Sequence, residues 1–264
     1  MSRVIRYQAG LQSPSWGLVN GDGTVSPLVG SPFESLETTG VRLRLNELQL
    51  LAPVMPSKVI GVGSNYRAHA TEMGRALPEV PKIFLMPPSA VVGPGDSIQI
   101  PPGTERVDHE AELGLVIGKR MSRVPSAECM DFVFGYTIVN DVTARDFQRA
   151  DGVFSRAKGF DSFCPVGPWI ETDLDPGDLS VRCWVDKELR QDGRTSDLIF
   201  GLRELLSFIS SVMTLEPGDL ISTGTPAGVG PLLAGQNVVV EVEGIGQLSN
   251  PVVDREDREH VRAP

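Results

Sequence analysis

The stretch that most restricts this chain is His109-Glu110-Ala111-Glu112-Leu113-Gly114-Leu115-Val116-Ile117, where two carboxylates head an aliphatic run. Side chains alternate faces along a strand, so Glu110, Glu112, Gly114 and Val116 share one face. Ala111, Leu113, Leu115 and Ile117 share the other. The second face is wholly aliphatic and has to be buried. On the first, two neighbouring like charges repel. Either that face lies in water, or a hard divalent cation offsets the repulsion, since oxygen ligands suit Mg2+, Mn2+ or Ca2+.

Asp141 bears on that choice. It follows the apolar strand expected over Phe132–Asn140, which delivers its next residue to the rim of a sheet. A short helix is expected over Thr143–Ala150, with Thr143 and Asp146 as a capping box. Asp141, Arg145 and Gln148 are spaced i, i+4, i+7 across the start of that helix and so share a face. An acid near a helix N-terminus is also favoured by the dipole alone, but this leaves the polar stripe behind it unexplained.

Other residues carry potential chemistry. His69 and Glu72 stand at i and i+3 on a helix expected to start at a capping Asn65 and to stop at Gly74. A carboxylate orienting an imidazole makes a general base; an incidental surface pair is the competing reading. The chain has three histidines, and His260 lies in a charged tail, so His69 and His109 are the candidates for acid/base work. Lys158, just before Gly159, is either an exposed lysine or a group that stabilises an enolate or oxyanion. The glycine-rich loop Gly224–Gly230 follows a strand, and its backbone can approach a carboxylate closely.

The rest of the sequence is punctuated by 28 glycines and 21 prolines, which break it into many short extended segments. A mainly β, α+β architecture with short helices follows. Residues 1–52 read as a small unit with a strand at Val4–Gln8 and a hairpin turning at Asn20-Gly21-Asp22-Gly23. Leu43–Leu51 fits helix and strand alike. Pro53 and Pro56 mark the junction to residues 53–264. Further on, strands are expected near Trp169, at Leu179–Val185 with a turn at Asp192-Gly193, at Leu220–Thr223 and at Val238–Val242, and a helix over Phe200–Met213.

The net charge of −10 disfavours a phosphate-tracking nucleic-acid binder. No run of about 18 apolar residues suggests a membrane span, and the first residues carry no apolar secretory core. Cys129, Cys164 and Cys183 are scattered, so disulfides and a thiolate zinc site are not expected, and a reducing cytoplasm fits. The dinucleotide, phosphate-loop, nucleophile-elbow and zinc-protease patterns are absent.

Five segments, in order, resemble the fumarylacetoacetate hydrolase family. They are Gly63-Ser64-Asn65-Tyr66 with His69 and Glu72, then His109-Glu110-Ala111-Glu112-Leu113, then Asn140-Asp141-Val142-Thr143-Ala144-Arg145-Asp146, then Ala157-Lys158-Gly159-Phe160-Asp161, and Thr223-Gly224-Thr225-Pro226-Ala227-Gly228-Val229-Gly230. The resemblance spans about Lys58 to Val253. It implies a mixed β-roll catalytic domain, often dimeric, with a smaller N-terminal unit. It implies Mg2+ or Mn2+ held by Glu110, Glu112 and Asp141, and a lid helix carrying His69 and Glu72. It places Arg145, Gln148, Lys158 and Thr225 along the substrate pocket. The further upstream aspartate ligand of the full-length animal hydrolase has no match, which points to the shorter decarboxylase, isomerase or acylpyruvase type.

The expected chemistry is an enolate of a small 2-oxo acid, bound through its C1 carboxylate and C2 keto oxygen and stabilised by the metal and Lys158. Arg145 and the loop backbone at Gly224 position the substrate, and Thr225 can donate a hydrogen bond. C–C cleavage, by oxaloacetate-type decarboxylation or acylpyruvate-type hydrolysis, comes first. Isomerisation of a 2-hydroxyhepta-2,4-diene-1,7-dioate is the alternative. A metal- or ligand-binding protein without catalysis is the reading of another class.

Overall fold

The structure is a computed structural model and describes residues 2–74 and 76–256. Its architecture is mainly β with four helices among the described residues, which is the expected class. One large sheet carries, in spatial order, Leu43–Arg44, Thr24–Pro27, Ser15–Val19, Arg3–Gln8, Cys164–Glu171, Val133–Asn140, Ala111–Ile117, Leu220–Ser222, Val59–Gly63 and Lys82–Met86. Neighbours along this path run antiparallel except Val59–Gly63 beside Leu220–Ser222. A second sheet orders Glu188–Arg194, Ser180–Val185, Asn237–Val242, Gly246–Asp254 and Ile98–Ile100.

The core lies between the sheets. Leu113, Leu115 and Ile117 form one apolar cluster with Val181, Cys183, Val240, Val242 and Leu248. Val116, on the carboxylate face, belongs to a second cluster with Val139, Val166 and Leu220. The strand Ala111–Ile117 is therefore buried on both faces along its whole length, and the water-facing alternative for Glu112 is excluded. The four helices are α1 (Arg67–Glu72), α2 (Arg145–Asp151), α3 (Ser155–Lys158) and α4 (Leu202–Val212). The last presents Leu205, Leu206 and Ile209 to the core.

The N-terminal hairpin forms as the Asn-Gly-Asp-Gly signal requires, with Asp22 accepting from the Thr24 backbone and hydroxyl. Leu43–Leu51 resolves into two short strands around a 3-10 turn at Leu45–Glu47. The first strand pairs Arg3 with Glu171 and Val4 with Ile170, so the large sheet is continuous across residues 52 and 53.

Three local expectations are corrected. Asp192-Gly193 is not a turn: both residues lie in Glu188–Arg194. The hairpin closes instead at Asp186 and Lys187, with φ of 48° and 73°, the left-handed pair that two-residue hairpin turns use. Gly193 is needed for a close approach, since a Cβ there would stand 2.4 Å from Cβ of Pro226. Asn65 does not cap α1, and Thr143 and Asp146 form no capping box; their partners are given below. Of the tail, Asp254 pairs with Ile100, while residues 257–264, including His260, lie outside the described residues.

Candidate active site

Strand register builds the acidic centre. Ala111 pairs with Asn140 in antiparallel register, so the residue before the one and the residue after the other meet at the same end. The Asp141 N–H donates to the Glu110 carbonyl at 2.9 Å, and the Glu110 N–H donates to Oδ1 of Asn140 at 3.0 Å. Glu112 stands one strand step further, opposite Val139. Carboxylate oxygens of Glu110, Glu112 and Asp141 come within 4.8 Å of one another, and all three residues are at most 5% exposed.

Two cations answer these three carboxylates. Nζ of Lys158 donates to Oε2 of Glu110 at 2.8 Å and also to Oδ2 of Asp141. Nη2 of Arg145 donates to Oε1 of Glu110 at 2.5 Å, while its Nε donates to Asp108 at 2.8 Å. Glu112 accepts from the Ser222 hydroxyl and, at 2.7 Å, from the Gly224 N–H. Burial pushes the Glu110 carboxyl up, but Lys158 and Arg145 outweigh it and hold it well below the usual range. Glu112 bonds neither cation: burial and then the charges of Asp141 and Glu110 outweigh the pull of Lys158 and drive it well above the usual range. Burial also raises Asp141, to about 6, against the pull of Lys158. Burial opposes the charge on Lys158, yet the three acids keep its pKa raised.

This donor set fits a hard divalent cation. Oδ1 of Asp141 is buried with no hydrogen-bond partner, an arrangement that costs free energy unless something else coordinates the oxygen. The ligand atoms are carboxylate oxygens, the type preferred by Mg2+ and Mn2+. Lys158 and Arg145 leave the site short of positive charge, and a divalent ion held by Glu110, Glu112 and Asp141 would supply it.

The histidine arm reaches the same place from another element. Ser64, at φ 55°, turns the chain out of Val59–Gly63 and into α1. Asn65 then clamps that turn from the interior. Its amide donates to the Thr223 carbonyl at 2.8 Å and the Phe200 carbonyl at 3.2 Å, and its oxygen accepts from the Phe200 N–H at 2.9 Å. On α1, Nδ1 of His69 meets Oε2 of Glu72 at 3.1 Å. The other Glu72 oxygen accepts from the Gly228 N–H at 3.0 Å, which ties the helix to the glycine-rich loop. With Nδ1 engaged, Nε2 is the nitrogen left to face the site.

Glu110, Glu112, His69, Arg145, Gln148, Lys158 and Thr225 line one small cavity with Ser64, Phe84 and Phe154, and about 20 Å³ between them is free. That is room for one water-sized group. The two phenyl rings are the residues sequence reasoning missed. They stack at 4.6 Å, and Nζ of Lys158 lies 5.0 Å from the Phe84 ring centre. No motif marks them, since lone aromatics in apolar segments read as core.

Other expected residues take different places. Asp141 precedes α2 and is not on its face, because Thr143–Ala144 is a short strand and Ala144 the N-cap. The Thr143 hydroxyl donates to the Asp141 carbonyl, and Asp146 accepts from Thr104. Only Arg145 and Gln148 share the helix, joined at 3.2 Å. The Thr225 hydroxyl donates to the Ala111 carbonyl and accepts from Gln191. The Gly224 N–H is spent on Glu112. His109 is fully buried and outside the cavity. Its Nδ1 bonds Gln191 at 2.9 Å, and burial lowers its pKa.

The sequence model described as fumarylacetoacetate (FAA) hydrolase C-terminal matches residues 58–253. A second, described as Rv2993c-like N-terminal, matches residues 2–53. The chain is 48% identical over 233 residues to protein Rv2993c of Mycobacterium tuberculosis, covering 87% of this chain and 88% of that one. It is 43% identical over 223 residues to the oxaloacetate tautomerase YisK of Bacillus subtilis, covering 79% and 74%. A solved structure of 5-carboxymethyl-2-hydroxymuconate delta-isomerase from Mycobacterium smegmatis superposes with a TM-score of 0.90. It has 47% identity and covers 96% of this chain and all of that one. No helix of the described residues is long and apolar enough to cross a membrane.

Proposed function

This chain belongs to the fumarylacetoacetate hydrolase family, and from that premise we propose that it is a divalent-cation-dependent enzyme that enolises a small 2-oxo acid. The observation that carries this reading is the convergence of Glu110, Glu112 and Asp141 within 4.8 Å, beside a cavity lined by Glu110, Glu112, His69 and Lys158. A cation of the Mg2+ or Mn2+ type held by the three carboxylates supplies Lewis-acid polarisation of the substrate's keto group.

The protein's own residues do the rest. His69 takes a proton from C3 through Nε2, while Glu72 orients the ring through Nδ1 and stabilises the imidazolium that forms. Lys158 carries three N–H protons and spends two on Glu110 and Asp141. The third donates to the oxygen on which charge develops. Arg145 and Gln148 orient the substrate carboxylate, and Phe84 and Phe154 keep water from the ammonium. Thr225 and Gly224 act by fixing the ligand strand, through Ala111 and Glu112.

Return of the proton at oxygen or at another carbon gives a tautomerase or isomerase, which needs only His69 and Lys158. We place this ahead of C–C cleavage because relatives at 43% and 47% identity are named as a tautomerase and an isomerase, while the solved hydrolases of the family, at 35% and 33%, are more distant. Decarboxylation or hydrolysis from the same enolate is the second reading, favoured by the family's hydrolase members. The proposal includes residues 53–264 as the catalytic unit, residues 1–52 as a smaller one, a homodimer, and a reducing cytoplasm. The three free, buried cysteines support the last point.

One panel tests it. Oxaloacetate, acetylpyruvate, fumarylpyruvate and a 2-hydroxydienedioate are followed by NMR in D2O with and without chelator. Chelator-sensitive exchange at C3 or double-bond migration supports the reading, and chelator-sensitive loss of CO2 or of an acid moves it to cleavage. No exchange and no turnover with any of them makes the chain a ligand-binding protein.

A further inference from the structure

Beside its charged groups the cavity has an apolar lining of Val62, Phe84 and Phe154, and the strand Val59–Gly63 prepares the place for both rings. Gly61 pairs with Phe84 across the sheet, and a Cβ at Gly61 would stand 2.2 Å from the Phe84 ring. A Cβ at Gly63 would stand 3.5 Å from the Phe154 ring. The two glycines share one face of the strand, and on that face the rings lie where side chains would otherwise be.

The rings come from separate elements. Phe84 belongs to Lys82–Met86, at the end of the large sheet, and Phe154 to the connection between α2 and α3. They meet at 4.6 Å between centres. Each is half-buried, whereas Lys158, 5.0 and 6.0 Å from their centres, is 3% exposed and His69 is 4% exposed. Rings that keep some contact with solvent, beside charged groups that keep almost none, stand as a partition between the two.

Such a partition matters because the same base serves two reactions. Nε2 of His69 takes a proton from C3 and enolises the substrate. It can equally take a proton from a water placed against a C4 carbonyl. The water oxygen then bonds to C4, the C3–C4 bond breaks with its electron pair left on the enolate, and the proton on His69 goes to C3. The products are two acids, and the charged groups required are the same. What differs is a water beside His69, and with room for one water-sized group in the cavity, substrate and water compete for that space.

We propose that Phe84 and Phe154 decide between these outcomes: the stacked pair keeps water from His69 and commits the bound 2-oxo acid to proton transfer instead of hydrolysis. The inference rests on the 2-oxo acid reading above and makes the two rings specificity-determining for the type of reaction. Exclusion of water from a closed site is a means of preventing hydrolysis of a reactive intermediate.

Two activities measured on each variant with Mg2+ test it. Ketonisation of enol-oxaloacetate, followed by absorbance above the uncatalysed rate, needs proton transfer alone. Release of acetate from acetylpyruvate, followed by NMR, needs a water. Wild type is expected to release acetate at less than about a tenth of its ketonisation rate. Phe154→Ala is the sharper variant, because the neighbouring Val153 is 57% exposed and no strand is disturbed. It should raise acetate release at least about tenfold while ketonisation falls several-fold. Phe84→Ala should act in the same direction, and Phe154→Leu, which keeps apolar bulk, should stay near the wild-type ratio. A damaged fold lowers both activities, so a rise in one separates the partition from a merely structural role. Both activities falling together in both alanine variants, or wild type releasing acetate as fast as it ketonises, overturns the inference and leaves the 2-oxo acid reading standing. Wild type that performs neither reaction overturns the two together.

Discussion

Glu72 holds His69 at 3.1 Å across one turn of α1, and its second oxygen takes the Gly228 N–H. One carboxylate therefore orients the base and also fastens the helix that carries it. His69→Ala should lower kcat about 10²- to 10⁴-fold, as removal of a general base does. Glu72→Gln retains an acceptor for Gly228 and loses the charge opposite the imidazole, so kcat should fall about tenfold or more with KM little changed. Glu72→Ala also unfastens α1 and should raise KM as well. Steady-state kinetics on the three variants check this; equal effects of the Gln and Ala changes on KM would contradict the dual role.

Glu112 is the acid that the metal-free fold tolerates least, because burial and two neighbouring carboxylates oppose its charge. Glu112→Gln keeps an acceptor for Ser222 and Gly224 and removes that repulsion. The metal-free variant should gain about 1 kcal/mol, roughly 2–4 °C in Tm, while Mg2+ loses its stabilising effect. Thermal melts with and without Mg2+ provide the measurement, and a lower Tm without metal would show that the repulsion is not the governing term.

Asn65 closes three hydrogen bonds in a fully buried place. Asn65→Ala strands the Phe200 N–H and carbonyl and the Thr223 carbonyl, and should destabilise by about 2–4 kcal/mol. Urea unfolding should show a lower midpoint at constant slope. A change below about 0.5 kcal/mol would mean that water replaces the amide.

The sequence carried the acidic centre further than it carried its surroundings. The two-residue period of a strand is strict, so Glu110 and Glu112 could be put on one face from spacing alone, and the apolar run before Asp141 located the neighbouring strand. Local signals were weaker where a tertiary partner outbid them. Asn65 has the composition of a helix cap, yet Phe200 and Thr223, more than 130 residues away, claim its side chain. Thr143 and Asp146 have capping-box spacing, but pairing of Thr143 with Asp108 draws that segment into a strand. Asp192-Gly193 looked like a turn because a glycine required by Pro226 is indistinguishable, in one sequence, from a glycine required by a positive φ. His109 lies outside the cavity, and its hydrogen bond to Gln191, 82 residues on, is a contact that no local pattern announces. Phe84 and Phe154 could not be seen at all, since only the fold brings them over Lys158.

The thiols test the burial of the core independently of the site. Cys129, Cys164 and Cys183 are all free and buried. Burial raises each thiol, Cys183 to about 12 and Cys129 and Cys164 above the ordinary value. A raised pKa leaves less thiolate at a given pH, so native protein at pH 8 should not react with a disulfide reagent over minutes, and all three groups should react in denaturant. A thiol titrating rapidly in the native state would place one of these three segments at the surface.

The most direct test is a titration of Mn2+ into metal-free protein, followed by electron paramagnetic resonance. The account predicts one tight site per chain, a signal perturbed by added 2-oxo acid, and loss of that site, by at least about a hundredfold in affinity, in Glu110→Ala and in Asp141→Ala that remain folded by circular dichroism. Mn2+ bound with wild-type affinity in either variant would mean that the three carboxylates do not hold the metal, and the proposed chemistry would lose its centre.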